Sequence, residues 1–423
     1  MYFEGLKTNM GKYQYFNLSN GDIVQSYFNS NISTIPFNYS QIDDYLNNNQ
    51  IVHPLYKIYI LNPDESIKFE IPQEDILLDG SYSENYQNGQ RRSLSFSLYN
   101  QTGKYNPSIN NLWIGTKIKF EVGISYNETA LYFSKGVYNI NSIEPREDVA
   151  QKIVSIQCGD KWEILDGNVG RLDSGFEINV GEDIEEIIKT LLLAQKGNGD
   201  PIDPKDIIYH SSFKGKTTQV KISKSSGETI GSLIADLATQ LSAEYFYNTL
   251  GNLTFLPLQE SIDDIDKPII AHLKSKRGEL TPLSFSLSYN EVVNRIIVTG
   301  GTVNGKLCKG IAENNKSESP LCIQRIGSRT AQIVNDSNIT SDILAQERAD
   351  YELRQQLILK SSVSTTTYFN PLLSVNNLIS IVDDFFDLKE EKFLLQSISF
   401  SLNYDGTNSI TFSNISNLPF IYK

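Results

Sequence analysis

Between Leu55 and Ile156 the chain repeatedly alternates apolar with polar residues at a period of two, and this pattern constrains the fold more than any other feature. Leu55-Tyr56-Lys57-Ile58-Tyr59-Ile60, Ile67-Lys68-Phe69-Glu70-Ile71, Leu94-Ser95-Phe96-Ser97-Leu98, Thr116-Lys117-Ile118-Lys119-Phe120-Glu121-Val122 and Gln151-Lys152-Ile153-Val154-Ser155-Ile156 all carry it. Successive strand side chains point to opposite faces, so each segment has one buried and one solvated face, as in an antiparallel sheet or barrel. Turn residues separate the segments at Asn62-Pro63-Asp64, Asn88-Gly89, Gly103 to Pro107 and Asn127. The aromatic content, 23 Tyr and 20 Phe against 2 Trp, suits sheets as well.

Downstream the period changes to 3.6. Within Glu182 to Ala194, Ile184, Ile187, Ile188, Leu191 and Leu192 make the stripe of an amphipathic helix with an acidic start. Ser225 and Glu228 match a capping box, ahead of a second stripe at Ile230, Leu233, Ile234, Leu237 and Leu241. Tyr245-Phe246-Tyr247 and Leu253-Thr254-Phe255-Leu256 read as a hairpin. After the acidic linker Asp263 to Pro268, strand character returns at Leu283 to Leu287, Arg295 to Thr299, Leu378 to Val382, Phe393 to Leu395 and Ile398 to Leu402. A helix near 341–359, with Ala345, Ala349, Leu353 and Leu357 on one narrow stripe, is expected on a surface or between subunits.

The length of 423 residues gives room for roughly two to four domains. The fold class is therefore α+β and mainly β: two similar antiparallel β-barrel domains, an intervening α+β domain and the further helix near 341–359. The expected division is an irregular N-terminal arm at 1–53, a first barrel at 54–168, the α+β domain at 169–267 and a second barrel with an inserted helical segment at 268–423. One echo points to duplication: Leu94-Ser95-Phe96-Ser97-Leu98 returns as Leu283-Ser284-Phe285-Ser286-Leu287 and as Ile398-Ser399-Phe400-Ser401-Leu402. A Ser- and Leu-rich β chain also repeats such strands by chance.

Charge and chemistry narrow the function. With 37 Lys+Arg against 50 Asp+Glu the formal charge is −13, which lacks the basic footprint of a nucleic-acid binder. No apolar run approaches the ~18 residues of a membrane helix, and the start at Met1 has no signal-peptide pattern. Cys158, Cys308 and Cys322 are too few and too separated for a disulfide scaffold or a zinc knuckle. His53, His210 and His272 stand apart from one another, and the nucleophile elbow, phosphate loop and His-Glu-x-x-His patterns are missing. Asp200 to Asp206 and Asp383-Asp384 with Asp387 read as solvated loops, since prolines and the lack of a central glycine argue against a calcium loop. The Asn-x-Ser/Thr triplets at Asn17, Asn127 and Asn252 are read as compositional. No catalytic, cofactor-binding or metal-ligating residue is assigned, no cofactor is expected, and the chain reads as a non-enzyme. Stacking of Trp113, Trp162 and the tyrosines on sugars, in a β-rich carbohydrate-binding or carbohydrate-hydrolysing protein, is the alternative from another class; aromatics alternating within strands fit core packing better.

Leu78-Asp79-Gly80-Ser81, Arg91 to Asn100, Gly103-Lys104-Tyr105-Asn106-Pro107, Leu112 to Ile118 and Phe133-Ser134-Lys135-Gly136-Val137-Tyr138 follow one another in an order that resembles the first barrel of bacteriophage tail-hub proteins of the contractile type. Tyr289 to Gly300 resembles that family's opening of the second barrel, and Asn377 to Ile381 through Ser397 to Phe400 its closing strands. The resemblance implies a structural virion protein in the tail baseplate, assembled in the host bacterial cytoplasm. It implies a homotrimeric ring that adapts a six-fold tail tube to a three-fold central spike. Expected partners are a second and third copy of the chain, a tail tube or distal tail protein, the spike, a tape-measure protein and other baseplate proteins, with no membrane and no specific nucleic acid. A different distal-tail or baseplate component is the alternative within the same class. With the β pattern running to Ile415, any lytic activity is expected on another chain. A trimer would carry 3 × (−13) = −39, and part of this acidity is expected either to line a lumen or to serve solubility.

Overall fold

The computed structural model describes residues 13–17, 23–27, 46, 53–108, 112–126, 129–147, 151–195, 199–257, 269–275, 283–286, 292–303, 305–317, 319, 321–331, 333–336, 339–358, 362–404 and 406–414. A hairpin of β1 (Tyr13–Asn17) and β2 (Ile23–Tyr27) comes first. β3 (Leu55–Leu61), β4 (Ile67–Glu70), β5 (Ile76–Asn85), β6 (Arg92–Tyr99), β7 (Lys117–Tyr126), β8 (Thr129–Glu147) and β9 (Lys152–Asp160) follow. Next come α1 (Trp162–Asp166), β10 (Phe176–Ile178), α2 (Ile184–Leu192), β11 (Ile208–Tyr209), β12 (Ile222–Lys224), α3 (Ile230–Gln240), β13 (Ala243–Tyr247) and β14 (Leu253–Pro257). The remainder comprises β15 (Ile269–Lys274), β16 (Ser284–Ser286), β17 (Arg295–Val303), β18 (Lys306–Glu313), α4 (Ile323–Ile326), β19 (Val334–Asn335), α5 (Asp342–Ile358), β20 (Ser362–Tyr368), β21 (Leu378–Asp383), β22 (Leu388–Ser401) and β23 (Thr407–Asn414). The fold is α+β and mainly β.

The period-two segments become β3, β4, β6, β7 and β9, and they join a 15-stranded sheet whose main path runs β16-β20-β23-β22-β5-β6-β9-β8-β7-β3-β4. Among the described residues this path does not close on itself. One pairing is parallel, β15 with β21, so the second half is not purely antiparallel. The N-terminal arm, expected to be irregular, contains β1 and β2, and β2 pairs with β8 at Ser26↔Phe133 and Tyr27↔Tyr132.

The large sheet contains the same strand order twice, differing in the direction of the first strand, antiparallel for β3 on β7 and parallel for β15 on β21. The order β3-β7-β8-β9-β6-β5 is matched by β15-β21-β22-β23-β20-β16. In both halves the long strand carries two bulges. Lys135 in β8 and Glu390 in β22 are skipped in the pairing with β7 and β21; Asn141 and Gln396 are skipped in the pairing with β9 and β23. The spacing is the same, 141 − 135 = 6 and 396 − 390 = 6, and bulges are positional devices rather than accidents. The Leu-Ser-Phe-Ser-Leu echo does not mark this repeat. Its copies lie in β6, β16 and β22, three strands that occupy different places in the repeated order.

One hydrophobic cluster, from Tyr56 in β3 to Phe412 in β23, runs through both halves of the sheet. A second joins α1, α2, α3, β13 and β14, where the helix stripes read in the sequence are buried at Ile184, Ile188, Leu233, Ile234 and Leu237. Asp183 caps α2 by accepting from Glu186 N–H at 3.1 Å, and Thr229 caps α3 by accepting from Ser232 N–H at 3.0 Å. Glu228 does reach back to the Ser225 N–H, so half of the capping box forms while the cap itself is one residue after Glu228.

A third cluster corrects one expectation and completes another. Arg295 to Thr299 does not enter the second half of the large sheet; β17 pairs with β18 and β19 in a separate three-stranded sheet. α5 lies on a surface, with Ile343 72% exposed, and its narrow stripe of Ala345, Ala349 and Leu353 packs on that sheet within the chain. The narrow alanine stripe is explained by Gly310: a Cβ there would lie 2.2 Å from the carbonyl carbon of Ala345, so only small residues allow this approach.

Candidate functional site

Where β5 lies between β6 and β22, the outward face of the sheet is made of hydroxyls. Cross-strand registers align Thr366, Ser409, Ser399, Ser83 and Ser93 in one row, and Ser401, Ser81, Ser95 and Gln157 in another. Ser83 and Ser93 hydroxyls meet at 2.7 Å and those of Ser81 and Ser95 at 3.0 Å. Opposite them, on the core side, lie Tyr82, Leu94 and Phe400, with the Tyr82 and Phe400 rings stacked at 4.7 Å. These two rows carry none of the chain's charge, no cation for a phosphate and no aromatic for a sugar.

Behind this face, buried charge ties the parts of the chain together. Arg91 precedes β6, and its Nη2 donates to Glu244 of β13 at 2.8 Å, with both side chains 1% exposed. The Arg91 guanidinium lies 3.6 Å from the Phe246 ring centroid. Glu244 also accepts from the Tyr86 hydroxyl at 2.8 Å and from Asn376 Nδ2 at 3.1 Å, so it touches both halves of the large sheet from the α+β part. Next to it Arg92 pairs with Glu84 and donates to the Tyr247 carbonyl, while Glu84 accepts from Ser374 Oγ at 2.7 Å. Burial raises the Glu84 pKa, but Arg92 and Lys135 outweigh burial and hold the carboxyl below its ordinary range.

A second knot joins the start of the chain to the α+β part. Lys161 Nζ lies 2.6 Å from both Glu65 and Asp203, and Lys117 and Lys205 also reach Glu65, at 2.9 and 3.1 Å. Burial raises the Glu65 pKa, yet Lys161, Lys117 and Lys205 bring it down to about 2. Lys205 is itself shifted down, by burial first. Asp160 behaves in the opposite way. It accepts from the N–H groups of Arg91 at 2.7 Å, Arg92 at 3.0 Å and Trp162 at 3.0 Å, but burial pushes it up to about 6.

The residues weighed for chemistry in the sequence are not brought together. His53 faces the Tyr404 carbonyl at 3.0 Å, His210 opens a short turn with Ser212, and His272 meets Ser380 Oγ at 2.7 Å. The three cysteines are buried and unbridged. Among the described residues no group of three His, Cys, Asp or Glu side chains could hold a metal ion, and no helix is long and apolar enough to cross a membrane. The 200–206 segment departs from the solvated loop expected, because Asp203 is buried on Lys161 and Tyr247. Asp383 likewise is buried and accepts from Phe386 N–H at 3.0 Å, which leaves Phe385 88% exposed at the tip. Trp162 packs on Tyr245 at 5.1 Å, whereas Trp113 is 42% exposed. Asn17 lies in β1 and Asn252 immediately before β14; Asn127 is outside the described residues.

Arg91, Arg92, Glu84 and Glu244 were not singled out by sequence reasoning. A paired Arg-Arg normally marks a solvated or anion-binding surface, and nothing local shows that these two would be buried. The arrangement is one that fixes parts relative to each other rather than one that moves protons or groups.

Residues 318–418 match a family described as "Domain of unknown function (DUF5048)". No curated protein sequence matches the chain. Among solved structures, the chain is similar to the 43 kDa tail protein of prophage MuSo2 from Shewanella oneidensis, with a TM-score of 0.56 and 13% identity, covering 86% of this chain and 99% of that one. The tail protein from Neisseria meningitidis MC58 gives a TM-score of 0.56 at 11% identity with the same coverage. A chain of the half-lidded PdpA-VgrG complex of Francisella gives 0.52 at 11% identity, covering 91% of this chain and 62% of that one. The chain has the fold of phage tail proteins.

Proposed function

We propose that the chain is a non-enzymatic structural subunit of a phage tail baseplate: a hub that forms a trimeric ring and adapts a six-fold tube to a three-fold spike. The observation that supports this best is the internal repeat. Two like halves in each of three copies present six like positions to a six-fold partner, while the chain itself keeps three-fold symmetry toward a spike. The matched bulge spacing makes the halves alike at the level of register, and the fold shared with tail proteins supports the class.

In this reading each half of the large sheet corresponds to one hub barrel, 54–168 and 268–423, with 169–267 as the α+β domain and 1–53 as the arm. The β17–β19 sheet with α5 is an insertion carried by the second half. The protein works in the virion tail after assembly in the host cytoplasm. Its partners are two further copies, a tube or distal tail protein, a spike, a tape-measure protein and neighbouring baseplate proteins. Native mass measurement tests the reading: the 47.7 kDa chain should give a particle of 3 × 47.7 = 143.1 kDa. A strict monomer, both concentrated in solution and in the assembled tail, refutes it.

A further inference from the structure

Within one chain, β5 joins the two halves by pairing with the C-terminal part of β22: Ser397↔Asn85, Ser399↔Ser83, Ser401↔Ser81. We propose that the same joint is repeated between chains, with β16 of one copy adding to the C-terminal part of β8 in a second copy. The inference rests on the ring reading above and names the contact that closes the ring.

The registers carry the argument. β8 pairs with β9 at Ser142↔Gln157 and Glu144↔Ser155; β22 pairs with β23 at Ser397↔Thr411 and Ser399↔Ser409, each immediately after its bulge. Ser142, Glu144 and Arg146 in β8 therefore occupy the places of Ser397, Ser399 and Ser401 in β22. On the other side, β5 pairs with β6 at Ser81↔Ser95, Tyr82↔Leu94 and Ser83↔Ser93. β16 pairs with β20 at Ser284↔Ser364, Phe285↔Val363 and Ser286↔Ser362. Because β6 and β20 align through β9 and β23, Ser284-Phe285-Ser286 stands where Ser81-Tyr82-Ser83 stands. The occupied edge and its mate in the chain thus have counterparts in β8 and β16.

Among the described residues both counterparts lack a strand partner on the matching side. The β7 side of β8 is bonded as far as Ile140, which exchanges bonds with Gly115 and Thr116, and Glu144 to Glu147 beyond it are exposed. Among the described residues β16 pairs with β20 alone. An open strand edge is a template for another strand. It is heterologous here, edge to different edge, and such a contact makes a ring where its rotation closes, which the three-fold reading above supplies.

Pro145 fits this placement. The β22 residues that bond to β5 are the even-numbered ones, since Leu402 N–H donates to Gly80 O at 2.8 Å and Gln396 O accepts from Tyr86 N–H at 2.6 Å. Pro145 corresponds to Phe400, so its missing N–H faces the open edge and leaves the β9 ladder intact. The joint between chains has one N–H fewer than the joint within the chain. Glu144 and Arg146, an exposed ion pair at 3.0 Å, would take the register positions opposite 286 and 284 of the neighbour's β16.

Disulfide trapping tests it. Ser399 and Ser83 do not exchange backbone bonds, a pairing in which Cα atoms sit about 4.5 Å apart, within disulfide reach. The matching pair between chains is Glu144 and Ser286. A Glu144→Cys/Ser286→Cys chain, oxidised mildly, should give covalent dimers and trimers on a non-reducing gel, and a mixture of the two single variants should give dimers only. Ser83→Cys/Ser399→Cys is the internal control and should bridge within the chain. The native thiols are buried and add little background. A particle of trimer mass whose control bridges but whose Glu144→Cys/Ser286→Cys chain does not cross-link refutes the joint and leaves the ring. A monomer by mass refutes both.

Discussion

Replacing Glu244 with alanine removes an acceptor shared by three side chains from two parts of the chain: Tyr86 and Arg91 between β5 and β6, and Asn376 before β21. Deleting one partner of a buried ion pair costs about 3–5 kcal/mol, because the other charge is left without compensation. Two groups limit the loss. The Phe246 ring stays 3.6 Å from the Arg91 guanidinium, and Arg91 Nε still donates to Gln87 O at 2.7 Å. The freed Tyr86 and Asn376 groups add about 1–3 kcal/mol each where water does not reach them. These terms overlap, and the expected destabilisation is about 4 kcal/mol. Trp162, 5.1 Å from Tyr245, reports on this junction once Trp113→Phe removes the exposed indole. With a urea slope of about 2 kcal/mol per M, the fluorescence midpoint should fall by about 2 M at unchanged slope. Adding Arg91→Met to Glu244→Ala should recover part of the loss, with a coupling above about 1.5 kcal/mol. A loss under about 1 kcal/mol, or strictly additive single effects, would falsify the idea that buried charge holds this junction.

Three further outcomes are expected. Glu65, held at about 2 against 4.5 in the unfolded chain, contributes stability that is complete above pH 4.5 and disappears as pH falls through 2, about 3 kcal/mol in all; Glu65→Gln should erase that acid-side step in denaturation midpoints taken from pH 2 to 7. Asp160 has the opposite sign: its pKa is raised from 3.8 to about 6, so its contribution is complete below pH 3.8 and is lost as pH rises through 6. Asp160→Asn should therefore flatten the profile between pH 4 and 6, and an unaltered slope there would contradict the assignment. Gly310→Ala should destabilise the chain by about 1–3 kcal/mol, since the added methyl meets the α5 backbone at 2.2 Å; increased proteolysis within 342–358 would locate the effect, and native thermal stability would count against it.

How much of this was legible in the sequence varies by element. β3, β6, β7 and β9 were readable because alternation places one face in the core, β4 by its alternation alone although Ile67 is exposed, and α2 and α3 because their stripes and acidic or capped starts are local signals. β8, the longest strand at 19 residues, was not readable as one strand. Gly136, Pro145 and the bulges at Lys135 and Asn141 break its alternation, and only its partners on both sides show that it is continuous. The Leu-Ser-Phe-Ser-Leu echo was visible but pointed to the wrong alignment, because any strand with small outward hydroxyls and a buried core face reads that way. The repeat that exists is written in registers and bulges, which no single segment contains. Asp203 looked like solvent-facing charge and Arg91-Arg92 gave no local signal of burial, and long-range partners made all three internal.

By itself the sequence determined the mainly-β, α+β class, the helical stripes and the poverty of reactive residues, since each follows from local periodicity or composition. Only the tertiary structure decided which strands are equivalent, that β17 to β19 and α5 form a unit of their own, and that β5 bonds to β22 while the matching edges of β8 and β16 have no partner among the described residues. The physical reason is that alternation tells a strand which face to bury but not which neighbour to bond. That choice depends on where bulges, buried ion pairs and chain connections bring distant edges together.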